Sequence, residues 1–145
     1  MAKQSLSYWQ DRAANLKFEH RAFINGQYQT AKNESTFECI SPIDGRHLTD
    51  ISHCDHQDAD IAVTAAREVF DKGTWSSATP AHRKAVLLKF ADLIEHHKEE
   101  IALLETLDMG KPISDSLQVD IGGALRAIRW TAEAVDKIYD EIAPT

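Results

Sequence analysis

Cysteine is scarce in this chain: two thiols, Cys39 and Cys54, among 145 residues. Two cannot staple a disulfide framework, and neither has a basic or histidine partner in a readable motif. Cys39 reads as a small buried hydrophobe, and both read as reduced thiols of a cytoplasmic protein. Long apolar runs are missing, so no segment reaches the roughly 20 residues that cross a bilayer. The first residues, Met1-Ala2-Lys3-Gln4-Ser5, carry no apolar export core. Glycine is thin, six in all, and nowhere forms a phosphate-cradling loop. Gly122-Gly123 lacks the further glycines and the preceding strand of a dinucleotide fingerprint. Basic residues are outnumbered, 16 against 23 acidic, for a net charge of −7. That balance argues against nucleic acid and anionic membranes as partners.

What is present fits one soluble domain of ordinary apolar content. Residues 5 to 17 predict a short helix with Leu6, Trp9, Ala13 and Leu16 on one side. Phe23-Ile24-Asn25-Gly26-Gln27-Tyr28 is a hairpin signal, because Asn and Gly both tolerate positive φ. Thr36 to Ser41 and His47 to Cys54 read as strands around a Pro42-Ile43-Asp44-Gly45 turn. After Asp55 the apolar period changes from two to 3.6 residues. Asp55 and Asp58 resemble a capping box, and Ile61, Ala65 and Val69, with Ala62, Ala66 and Phe70, predict a buried stripe ending at Gly73. Thr79-Pro80 opens the next helix, whose expected inner face is Val86, Leu87, Phe90, Leu93 and Ile94. A break is expected at His96 to Glu100 before Ile101, Leu103, Leu104 and Leu107 resume. Strands first and helices afterwards make an α+β fold. Three parts follow: an N-terminal helix and arm (1–20), a β-hairpin region (21–55) and a helical layer (56–145).

The last stretch, Pro112 to Ile142, predicts one long helix with no interrupting proline. Leu117, Ile121, Leu125, Ile128, Ala132, Val135 and Tyr139 form one apolar row. Val119, Gly123, Ala127, Trp130 and Ala134 form a second row, about half a turn away. An ordinary surface helix needs only one. This one is expected to meet a partner on each side.

Few residues offer chemistry. His53-Cys54-Asp55-His56 matches no zinc spacing and reads as a strand-to-helix junction, and His96-His97 as a solvated helix end. Asp108 shares a side with Ile101 and Leu104 at the negative end of its helix, so it needs a partner: Lys111, a backbone N–H or a bound metal cation. Gly122-Gly123 costs about 1 kcal/mol per glycine relative to alanine. Close approach of another backbone, or clearance for a ligand, would explain the pair.

The run Leu103-Leu104-Glu105-Thr106-Leu107-Asp108-Met109-Gly110-Lys111-Pro112 resembles a hallmark of the aldehyde dehydrogenase superfamily. Phe23-Ile24-Asn25-Gly26, Thr36-Phe37-Glu38, Ser41-Pro42 with Asp44-Gly45, Ala65-Ala66-Arg67, Trp75, Arg83, Arg129-Trp130 and Asp136-Lys137 occur in the family's order and spacing. Tyr8-Trp9-Gln10-Asp11 and Ala127-Ile128-Arg129-Trp130 with Ala134-Val135-Asp136-Lys137 look closest to its γ-glutamyl-γ-aminobutyraldehyde dehydrogenases, of putrescine degradation.

The resemblance implies an N-terminal, incomplete part of the cofactor-binding domain, with β-hairpins and a helical layer ending in one long helix. The family's nucleophilic cysteine, general-base glutamate, oxyanion-stabilising asparagine and nicotinamide loops lie beyond the point matching Thr145. The expectation is therefore a truncated fragment without catalytic residues, inactive alone and binding neither NAD nor NADP. In the parent a cysteine thiolate attacks the aldehyde, hydride passes to NAD or NADP, and the thioester is hydrolysed. By the same resemblance Val119, Asp120 and Gly123 lie along the aldehyde tunnel, Asp120 able to face a cationic substrate end. Backbone near Cys39 and Ile40, with Asp108, would hold a monovalent cation. The expected partner is the remainder of the enzyme chain, in a homo-oligomer. The reading from another class is a non-catalytic helical interaction module that self-associates through its second apolar row. A third is a small metal-binding protein using His53 to His56.

Overall fold

A computed structural model describes residues 4–137. Helix α1 (Leu6–Ala14) starts where Ser5 accepts a hydrogen bond from the amide of Tyr8. It docks by its polar edge: Tyr8 Oη donates to Glu99 Oε2 at 2.7 Å. Leu6 of the predicted apolar side stays exposed, while Trp9, Ala13 and Leu16 are half-buried.

Two antiparallel hairpins follow, β1 (Ala22–Ile24) with β2 (Gln27–Gln29), and β3 (Thr36–Ile40) with β4 (His47–Ser52). Asn25 at φ 51° and Gly26 at φ 77° make the first turn, the two left-handed positions that a tight hairpin requires. The second closes where the Ser41 amide donates to the Arg46 carbonyl. Its register shifts between Cys39 and Ile40.

Helix α2 (His56–Asp71) begins with the complete capping box, Asp55 and Asp58 each accepting the other's backbone N–H. Asp58 is buried and also accepts from the Lys32 amide, which ties the preceding loop to the helix start. The buried stripe expected along α2 is not buried: Ile61, Ala62 and Ala65 are half-covered, whereas Ala66, Val69 and Phe70 are exposed. Among the described elements only β1 packs appreciably on this helix, and three residues of strand cannot shield four turns.

Helix α3 (Pro80–His96) is capped by Thr79, and α4 (Lys98–Met109) restarts at His97, so the expected break is present. The inner face of α3 differs from the expected one. Ala91 is fully buried, with Ile94 beside it, while Val86, Phe90 and Leu93 face outward. Small side chains win the contact because Ala91 and Ala102 let helix axes approach closely.

The long helix is continuous but not uniformly α. A turn, α5 (Ile113–Asp115), leads into a π-helical segment, Ser116–Ile121, and then α6 (Gly122–Ala134). Ile113, Leu117, Ile121 and Leu125 step by four three times running. In an α-helix each such step drifts about 40°. The wider π turn absorbs that drift, keeping all four against Ala91 and Ala102. Ser116, fully buried, shares a 3.1 Å hydrogen bond with Thr106 Oγ1 of α4. Lys84 to Glu133 and Asp136, and Arg129 to Asp92 and Glu95, clip α6 to α3. The predicted positions beyond Lys137, Tyr139 among them, lie outside the described residues.

Candidate functional site

The run Leu103 to Pro112 is where three parts of the chain meet. Gly110 ends α4 at φ 73°, a conformation open to glycine at little cost. A Cβ there would stand 3.0 Å from Cγ of Pro42, in the β3–β4 turn. Two residues earlier, Asp108 Oδ1 accepts from Cys39 Sγ at 3.2 Å. Burial, and then the neighbouring Asp108 carboxylate, push the Cys39 thiol above its ordinary pKa. Cys39 is thus held as the protonated donor to Asp108. Cys54 is also raised, first by burial and then by Asp58 and Asp55.

Two expectations about Asp108 are corrected. Its carboxylate is exposed, not desolvated beside Ile101 and Leu104. Lys111 turns away from it: Nζ pairs with Oδ2 of Asp120 and lies 4.0 Å from Glu105 Oε1. The chain must reverse at Gly110, and this points Lys111 toward the π segment and Glu105 rather than toward Asp108. The hydrogen bond to Asp120 holds Lys111 above its ordinary pKa against the opposing effect of burial. Ser116 at this junction carries no sequence signal of its own, and only folding shows its partner and that of Glu105.

Of the residues expected to bind a cation, Cys39 and Asp108 are brought together, and Ile40 follows on the same strand with its side chain exposed. Among the described residues no group of three or more His, Cys, Asp or Glu converges. Asp55 caps α2, as the junction reading of His53 to His56 requires.

The expected tunnel residues share the π-to-α junction. Asp120 is half-buried, Val119 is 61% exposed and Trp130 75% exposed. A Cβ on Gly123 would meet only Arg126, at 3.9 Å. On Gly122 it would meet Arg126 at 3.5 Å and the Leu117 carbonyl at 3.9 Å. Among the described residues no other element closes on the glycine pair. Gly122, Arg126, Ala127 and Trp130 instead border a shallow open groove. Val119, Ala127 and Trp130 of the second apolar row are exposed here, while the first row is packed.

Residues 28–145 match the aldehyde dehydrogenase family. The chain belongs to that family. It is 56% identical over 140 residues to the NADP/NAD-dependent aldehyde dehydrogenase PuuC of Escherichia coli, covering 97% of this chain and 28% of that protein. Aminoacetaldehyde dehydrogenase of Pseudomonas aeruginosa is 44% identical over 132 residues, 91% of this chain and 27% of that one. The crystal structure of γ-glutamyl-γ-aminobutyraldehyde dehydrogenase from Burkholderia cenocepacia superposes with a TM-score of 0.96 at 48% identity. That match covers 98% of this chain and 29% of the other. The α+β arrangement is thus that of the N-terminal part of the aldehyde dehydrogenase fold, and the resemblance to aminoaldehyde-oxidising relatives stands. The chain spans little more than a quarter of these relatives' length. Among the described residues no helix is long and apolar enough to cross a membrane.

Proposed function

We propose that this chain serves an NAD(P)-dependent aldehyde dehydrogenase that oxidises an aldehyde, specifically an aminoaldehyde, to its carboxylic acid. The observation that carries the reading is the 56% identity with an NADP/NAD-dependent aldehyde dehydrogenase across nearly the whole chain. Val119, Asp120 and Gly123 would form one wall of the substrate's path. Asp120 supplies a carboxylate suited to an ammonium end, Val119 an apolar surface, and Gly123 clearance. Asp108, with backbone of Cys39 and Ile40, would hold a monovalent cation.

The residues that do the chemistry would lie elsewhere in the protein. Both thiols here are held above their ordinary pKa, and no glycine-rich loop is available to the nicotinamide cofactor's phosphates. Residues 1–20, 21–55 and 56–145 would together form part of the cofactor-binding domain, in a homo-oligomeric, cytoplasmic enzyme. The uncovered row of Val119, Ala127 and Trp130 would face the remainder of the enzyme chain. The assay is NADH or NADPH formation from an aminoaldehyde by the natural-length protein and by residues 1–145 alone. Turnover by the first and none by the second is expected. Turnover by residues 1–145, or no aldehyde oxidation by the natural-length protein, would overturn the reading.

A second reading is favoured by the exposure of Trp130 and Phe90: a non-catalytic helical module that pairs with a second copy. Light scattering of residues 1–145 tests it, since a monomer at every concentration excludes self-pairing.

A further inference from the structure

We propose that Lys111 is a specificity-determining positioning residue: its ammonium occupies Asp120 and sets how strongly a cationic aldehyde is preferred over a neutral one. The inference rests on the reading of Val119, Asp120 and Gly123 as a wall of the substrate's path, and deepens it.

Lys111 is the middle residue of a three-residue link between α4 and the long helix, after the left-handed turn at Gly110 and before Pro112. Its backbone position is therefore closely set, and its ammonium reaches Asp120 Oδ2 directly. A lysine head presents the same tripodal set of N–H donors as any primary alkylammonium. Lys111 Nζ accordingly marks where the ammonium of a substrate would sit. The pair is open enough for exchange: the side chains retain 36% and 28% of their exposure. Ion pairs so exposed are weak, about 0–1 kcal/mol, so an incoming ammonium can compete. The displaced Lys111 also keeps an acceptor, Glu105 Oε1, 4.0 Å away.

The consequence is a tuned selectivity. With Lys111 in place, Asp120 presents a nearly neutral pair, and an uncharged aldehyde passes without facing a bare carboxylate. Without Lys111 the carboxylate is free, and a cationic aldehyde gains what the lysine had used.

The test uses the natural-length protein and compares an ω-aminoaldehyde with an unsubstituted alkanal of equal length. Lys111→Met is expected to lower KM for the aminoaldehyde relative to the alkanal by about fivefold, the change falling on KM rather than kcat. Lys111→Arg should return the ratio toward that of the parent protein. Glu105→Gln should raise KM for the aminoaldehyde, because Lys111 then has no second acceptor. A readout independent of turnover is the carboxyl 13C shift of Asp120 titrated with n-butylammonium, whose half-saturation should fall in Lys111→Met. A melting curve confirms that each variant folds; if Lys111→Met does not, Glu105→Gln and Lys111→Arg decide the matter. An unmoved substrate ratio and an unmoved butylammonium titration would overturn the role of Lys111 and leave the dehydrogenase reading intact. Absence of any aldehyde oxidation would overturn that reading instead, the butylammonium titration then deciding for or against Lys111.

Discussion

Sγ of Cys39 lies 3.2 Å from Oδ1 of Asp108, a residue 69 positions further along the chain, and this contact joins β3 to the last turn of α4. A thiol between a partly buried strand and a carboxylate keeps its proton, because the thiolate would face both desolvation and like charge.

Asp108→Asn should therefore lower the Cys39 pKa by removing the carboxylate, leaving burial as the remaining cause of its rise. At pH 8 the variant's Cys39 should be alkylated faster by iodoacetamide, as followed by peptide mass spectrometry. An equal or slower rate would mean that burial alone governs the thiol.

The two interior glycines of the resemblance should respond oppositely to alanine. Gly110→Ala forces a left-handed φ on a side chain and drives its Cβ against Pro42. A loss of about 1–3 kcal/mol is expected by denaturant unfolding. Gly123→Ala meets only a flexible guanidinium and should stabilise residues 1–145 by up to about 1 kcal/mol. If Gly123→Ala instead destabilises this chain, the clearance argument for that position fails.

Burial separates the two apolar rows of the long helix. Ile121 is 5% exposed in the core with Ala91 and Ala102, so Ile121→Ala should cost about 2–5 kcal/mol. Trp130→Ser, on the uncovered row, should change stability by no more than about 0.5 kcal/mol. It should also reduce the binding of an apolar fluorescent dye to residues 1–145.

Arg21 grips Glu19 through two 2.8 Å hydrogen bonds and lowers its pKa from the usual 4.5 to about 2. The folded value lies below the unfolded one, so the pair's contribution is present above about pH 4.5 and is lost as pH falls toward 2. Carboxyl 13C titration should place Glu19 near 2 in the parent chain and nearer 4.5 in Arg21→Ala. Both groups are exposed, so the accompanying change in stability should be small.

Where chemistry acts within a few residues, the amino-acid order was enough. Asp55 with Asp58, and Thr79-Pro80, cap their helices, Asn25-Gly26 turns its hairpin, and the polar His96-His97 step breaks α3 from α4. The motif around Gly110 was likewise enough to indicate the family, since its residue types answer to one junction. Tertiary structure alone decided which apolar faces are covered. Val86, Phe90 and Leu93 have the periodicity of an inner face, yet Ala91 takes the contact, because burial depends on what stands opposite. It also gave Lys111 to Asp120 instead of Asp108, and placed a π turn where a continuous α-helix was expected. Three consecutive apolar steps of four hinted at that turn, but a hint of angular drift becomes a π segment only against a surface that rewards alignment. Caps and turns are settled by a residue's own backbone and near neighbours; packing faces and ion-pair partners are settled by distant chain, and local sequence cannot rank them.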